Sequence, residues 1–119
     1  MTNDPTPEQF LPLPPATLHI LLAVAETDRH GYAIMQDVAA RTDGALKLSP
    51  GTLYGSIRRM LEEGLIDELS DRQRPDDDDE RRRYYRITAF GRSVAQAEAA
   101  RLTTLLRQAR AVGLTPGRA

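Results

Sequence analysis

The chain has 119 residues, with 16 basic and 17 acidic side chains and no cysteine, which allows one domain with one modest core and is too short for two. The missing cysteines exclude disulfides and thiolate chemistry, and the two histidines, His19 and His30, do not make a metal site, so no metal or cofactor is expected. A net charge of −1 argues against a general nucleic-acid coat, but residues 1–80 carry 7 basic and 16 acidic side chains while residues 81–119 carry 9 and 1, so any surface for a polyanion must come from local placement.

Five of the eight prolines lie within residues 5–15, which predicts an extended arm over residues 1–14, with Phe10 and Leu11 as its points of attachment. From Ala16 the set Leu18, Leu21, Leu22 and Ala25 has helical spacing and ends at the polar turn Glu26-Thr27-Asp28-Arg29-His30. His19 lies in this helix. The longest apolar run, Ile20 to Ala25, falls far short of the roughly 20 residues that span a bilayer, and acid and proline stand where a signal peptide carries base. A soluble, cytoplasmic protein with no membrane partner is the expectation. Gly31 opens a second short helix with Tyr32, Met35, Val38 and Ala39 on one face and Ile34 beside them, stopped by Thr42-Asp43-Gly44.

The third helix is the most informative stretch. Ser49 is a good N-cap, Pro50 sits where its missing N–H costs nothing, and Gly64 follows the last turn where a left-handed residue is needed. Leu53, Ile57, Met60 and Leu61 form one apolar stripe, which must lie on a core. The opposite side carries Thr52, Tyr54, Ser56, Arg58 and Arg59, with Gly51 and Gly55 among them. Small hydroxyls, a tyrosine and arginines suit close approach to a DNA groove. The same pattern also fits an ordinary amphipathic helix with a solvated polar face, and Tyr54 taken alone fits either a DNA contact or a residue at the core edge. Arg58 and Arg59 point about 100° apart, so one is free to reach phosphate while the other pairs with Glu62 or Glu63.

Residues 65–70 and 82–88 then read as two strands joined by a long charged loop, Asp71 to Arg81, with Tyr84 and Tyr85 as packing residues. Asp76 to Glu80 are consecutive carboxylates without the spaced ligands of a calcium loop. The triple arginine Arg81, Arg82 and Arg83 reads either as phosphate anchors or as counter-charges to that acidic run. Thr88 caps a last helix over residues 89–112, whose apolar side includes Val94, Leu102, Leu105, Leu106 and Ala109, and residues 113–119 should fray. So much leucine remains after one small core is filled that pairing of this helix with a second copy is the simplest outcome.

The order of elements predicts a mainly α fold with a small β-hairpin: a winged helix-turn-helix over residues 15–88, then a dimerisation helix over residues 89–112. Five segments in this order resemble the PadR family of bacterial transcriptional regulators. They are Leu18 to Ala25, His30-Gly31-Tyr32, Ser49-Pro50-Gly51-Thr52-Leu53-Tyr54, Leu61-Glu62-Glu63-Gly64-Leu65-Ile66, and Tyr84-Tyr85-Arg86-Ile87-Thr88-Ala89-Phe90-Gly91-Arg92. The resemblance covers about Leu13 to Leu106 and implies a homodimer, usually a repressor, that binds double-stranded DNA at a palindromic operator and releases it on a signal.

By this similarity the DNA-contacting residues would be Ser49, Gly51, Thr52, Tyr54 and Arg58, with Tyr32 near the start of the second helix and Arg81, Arg82 and Arg83 in the wing. The acidic run at the wing departs from the family pattern. The chain resembles the shorter branch, which lacks an extra C-terminal helical domain. Some members bind a small-molecule effector in an aromatic-lined cavity at the dimer interface, but with no tryptophan and two phenylalanines that site carries over to no residue. A winged-helix module that binds another protein is the rival reading. Against it stand the hydroxyls, tyrosine and arginines of the third helix. For an enzyme there is neither a cysteine nucleophile nor a phosphate loop.

Overall fold

The computed structural model describes residues 4–70 and 82–114. The loop of residues 71–81, with its acidic run and Arg81, lies outside the described residues, as do residues 115–119. Four helices, α1 (Pro15–Glu26), α2 (Gly31–Arg41), α3 (Pro50–Glu62) and α4 (Ala89–Ala111), surround a small antiparallel sheet of β1 (Arg29–His30), β2 (Ile66–Glu68) and β3 (Tyr84–Ile87). The predicted mainly α architecture is the one observed, with one strand more than the expected hairpin. In the sheet β3 is central: Arg29 faces Tyr85 and His30 faces Tyr84 on one side, and Ile66 faces Ile87 on the other.

Local chemistry fixes the helix ends. Ser49 Oγ accepts the Thr52 N–H at 3.2 Å, Thr88 Oγ1 accepts the Gly91 N–H at 2.8 Å, and His30 Nδ1 accepts the Ala33 N–H at 3.1 Å. Each occupies one donor that the first turn of a helix leaves without a carbonyl. Gly64, at φ +76°, takes the left-handed conformation that ends α3 and turns the chain into β2. The stripe Leu53, Ile57 and Met60 is buried as its spacing requires, with Leu61 half-buried at the edge.

Other faces differ from the predicted ones. In α1 the buried residues are Thr17, Ile20, Leu21, Ala23 and Val24, while Leu22 is exposed. In α2 they are Gly31, Ile34 and Val38, while Tyr32 is exposed and Met35 half-buried. Both helices carry two overlapping apolar stripes, and tertiary packing selects the one that faces β3 and α3. Val94, expected on a dimer seam, is fully buried in its own chain's core with Ile20, Leu21 and Leu65. It lies one turn into α4, where that helix crosses α1.

The N-terminal segment is more ordered than an extended arm. Pro7–Phe10 wind into a single 3₁₀ turn, Phe10 meets Phe90 edge-on at 5.5 Å, and Leu13 is buried. Its anchor is Glu98, a buried carboxylate on α4. One oxygen accepts the Leu13 N–H at 2.9 Å, and Arg101 Nε donates to the other at 2.6 Å. The Arg101 guanidinium holds the Glu98 carboxyl below the usual carboxylate range, with the Leu13 N–H assisting and burial opposing.

A carboxyl depressed in the folded state adds stability that is complete above its unfolded pKa, about 4.3, and is lost as pH falls through the folded value. Glu98→Gln keeps an acceptor for Leu13 but removes that titration. Thermal melts from pH 7 to pH 3 should therefore show a shallower acid loss for the variant than for the wild type.

Candidate nucleic-acid interface

Three pieces of the chain converge beside α3. Ion pairs first tie α2 to the end of α1: Arg29 Nη2 lies 3.2 Å from Asp37 and its Nε donates to the Ala23 carbonyl at 2.8 Å, while Arg41 bonds Asp37 at 2.6 Å and also pairs with Glu26. A second pair, Arg86 with Asp28 at 2.8 Å, fastens β3 to the turn before β1. These links join α2 to the end of α1 and β3 to the turn before β1; exposed pairs of this kind each contribute little to stability.

Gly31 then brings α2 and α3 together. The Tyr54 ring lies over it so closely that a Cβ at position 31 would sit 2.9 Å from Tyr54 Cζ. Tyr54 is thereby held in place yet remains 47% exposed, and Tyr32 is 59% exposed. Tyr32, grouped by its spacing with the apolar face of the second helix, is therefore on the outside of α2. Together with Arg82 and Arg83 at the wing base, both tyrosines line a cleft of about 390 Å³, with His30, Gly31 and Tyr85 as its remaining walls. No described lining residue is acidic. Burial pushes the Tyr85 phenol up, so this wall is neutral at physiological pH.

The outer face of α3 continues from this cleft. Gly51, Thr52, Gly55, Arg58 and Arg59 are exposed, and nothing stands within 4 Å of where side chains would begin at Gly51 and Gly55, so another surface can approach the backbone there. Ser49 Oγ, besides capping α3, donates to Thr52 Oγ1 at 3.1 Å. Its first role is structural. Among the described residues neither Arg58 nor Arg59 forms an ion pair with Glu62 or Glu63, contrary to the expectation that one would.

Of the candidate contacts, Tyr32, Tyr54, Arg82 and Arg83 are brought together at the cleft, and Gly51, Thr52 and Arg58 stand on the adjoining helix face. Arg81 lies outside the described residues. Sequence reasoning missed His30 in this site because it read residues 26–30 as a plain turn. The available signal was its position directly before the glycine that opens α2.

Three helices, of which α2 and α3 form the helix-turn-helix, followed by a small antiparallel wing, define a winged helix-turn-helix protein. Residues 20–97 match the model of the transcriptional regulator PadR-like family, and the chain belongs to that family, whose members are transcriptional regulators and not enzymes. An uncharacterised protein of Lysinibacillus sphaericus is 32% identical over 78 residues, 62% of this chain and 65% of that one, so the match spans just under two thirds of the relative.

A transcriptional regulator from Clostridium thermocellum shares the fold with TM-score 0.68 at 24% identity over 84% of this chain and 90% of that one. A PadR family transcription regulator from Clostridium difficile does so with TM-score 0.66 at 22% identity, over 82% and 96%. No helix among the described residues is long and apolar enough to cross a membrane.

The Gly31–Tyr54 contact can be tested by coupling. Gly31→Ala should push the half-exposed Tyr54 phenol aside at a cost of about 1 kcal/mol or less, and at no such cost in a Tyr54→Ala background where the ring is gone. Thermal or urea unfolding of the two single variants and the double variant measures the difference. Equal costs in both backgrounds would mean that the ring does not constrain position 31.

Proposed function

We propose that this PadR-family protein is a homodimeric repressor that binds a palindromic operator, with α3 in the major groove and the wing base on the backbone. The observation that carries the reading is the exposed outer face of α3, where Gly51, Thr52, Tyr54 and Arg58 stand on a helix whose opposite side buries Leu53, Ile57 and Met60. A groove-reading helix needs that division of faces.

The dimer reading rests on the second half of α4. Leu102, Leu105 and Leu106 are exposed there, and Ala109 lies half-buried beside them, a row of apolar side chains that a second copy of the same helix would cover. Effector control, common in the family, is left to a ligand that these residues do not name.

Arg58→Ala should weaken binding to the selected operator by about 1–3 kcal/mol and leave the melting temperature unchanged, because Arg58 is exposed. Selection of genomic fragments on the purified protein supplies the operator. Titration at several salt concentrations should show a steep loss of affinity as phosphate counterions are released. Half-sites spaced about 10 bp apart, or a small multiple of that, are expected from a dimer meeting successive major grooves. A variant that loses stability but keeps its operator affinity would make Arg58 structural.

Replacing Leu102 and Leu105 with aspartate would bury unpaired charge in the proposed seam while leaving the core residues Val94 and Glu98 in place. Sedimentation should show a dimer for the wild type at micromolar concentration and a folded monomer for the variant. A wild-type monomer under those conditions contradicts the dimer reading.

A further inference from the structure

We infer that Gly31 aims Tyr54 at the sugar-phosphate backbone of bound DNA, so that Tyr54 sets the register of α3 in the groove and reads no base. The inference rests on the DNA-binding reading above and goes beyond it by giving a buried glycine of the second helix a part in recognition. Gly31 is the first residue of α2 and is buried, yet it does not adopt the left-handed conformation seen at Gly44, Gly64 and Gly113. Its backbone therefore makes no demand for glycine, and alanine is the better helix former. What glycine supplies at this position is space.

One side chain fills that space. A Cβ at position 31 would stand closest to the Tyr54 hydroxyl oxygen, with Cζ at 2.9 Å and Cε1 at 3.1 Å, so it is the phenol end of the ring that rests on the glycine. Gly51 and Gly55 on the exposed face of α3 have nothing within 4 Å of the corresponding point. Of these three glycines Gly31 alone seats a neighbour. A tyrosine that is 47% exposed would otherwise lose its freedom only on binding, and the seat removes part of that cost beforehand.

The direction of the ring decides what it can touch. In a helix-turn-helix the recognition helix enters the major groove while the helix before it crosses the DNA backbone. Tyr54 springs from the recognition helix, but its hydroxyl end lies on the first residue of the crossing helix. It therefore faces the line of phosphates, and the base edges are left to Thr52 and Arg58 on the open part of α3. Tyr32 and Arg83 share its cleft, whose described walls include no carboxylate to repel a phosphate. Among the described residues the Tyr54 hydroxyl has no hydrogen-bond partner, and its O–H donates to a phosphate oxygen. Contacts of this kind position a protein on DNA without carrying sequence information.

The test uses the selected operator and a set of operators with single base-pair changes across one half-site. Each is titrated with wild type, Gly31→Ala, Tyr54→Phe and the double variant. Gly31→Ala pushes the phenol off its seat, and Tyr54→Phe removes only the hydroxyl. Each should lower affinity by about three- to tenfold, by the same factor on every operator. In the Tyr54→Phe background Gly31→Ala should cost no further affinity, although the phenylalanine ring still meets the new methyl group and any loss of melting temperature persists. That contrast separates aiming of the hydroxyl from a purely structural role. One neutral methylphosphonate per half-site, placed at each backbone position in turn, should weaken wild-type binding at one position where it leaves Tyr54→Phe unaffected.

Gly31→Ala at wild-type affinity on every operator, a Tyr54→Phe variant with altered preference at a single base pair, or losses that multiply in the double variant would each overturn this inference alone and leave operator binding by α3 standing. Should Gly31→Ala fail to fold, the Tyr54→Phe and methylphosphonate profiles decide by the same criteria. A wild type with no sequence-selected DNA binding overturns both this inference and the function on which it rests.

Discussion

Burial of one helix on several sides is the constraint on which the rest of the fold depends. A chain of this size has a single small core, and α1 runs through it, packed against α2, α3, α4 and β3. Ile20, Leu21 and Ala23 are completely enclosed. A helix enclosed in this way does not need a sharply defined apolar stripe, because almost every direction is interior. The other elements do need one: α3 must turn Leu53, Ile57 and Met60 toward α1, and that requirement leaves Tyr54 and Arg58 facing outward. The polar face of α3 is thus a consequence of how α1 is covered.

This explains which parts of the sequence were legible. α3 was readable to its ends because its cap, its N1 proline, its stripe and its terminating glycine all agree. α1 and α2 were recognisable as helices, but their buried faces were misplaced: Leu22 and Tyr32 have the same spacing credentials as Ile20 and Ile34, and only the position of the sheet decides between them. The strand β1 is two residues long, too short for any period to show. Its identity comes from pairing with Tyr84 and Tyr85, a contact across more than fifty residues. Glu98 was invisible for a similar reason, since its partner Leu13 is 85 positions away.

At the candidate site the residue types were legible and the geometry was not. Tyrosines and arginines in helix three and the wing pointed to a polyanion, yet nothing in their spacing indicated that Gly31 would seat the Tyr54 ring or that His30 would stand beside Arg82. Both facts depend on β1 pairing with β3, which sets the first residues of α2 against the start of the wing. The charge division along the chain has a structural counterpart here. Within the described residues, Asp37, Glu26 and Asp28 are engaged with Arg29, Arg41 and Arg86 and none of them lines the cleft, so a chain of net charge −1 still presents a cleft whose described walls carry only basic and neutral groups.

α4 shows the same economy along a single helix. Its first turns carry Gly91, Val94 and Glu98 inward, closing the core and fastening the N-terminal segment, whereas Leu102, Leu105 and Leu106 beyond Arg101 lie in the open. The change occurs where α1 and the N-terminal segment cease to cover the helix, because the core is too small to reach further. Three leucines a few residues apart would each contribute about 1.5–3 kcal/mol if fully buried, a large sum for a domain whose whole stability is of the order of 5–15 kcal/mol. A helix that leaves so much apolar surface beyond its own core separates two tasks by position: the part before Arg101 serves the fold of one chain, and the part after it supplies the surface on which the proposed second chain would pack. The position of Val94, on the core side of that division, follows from the same geometry.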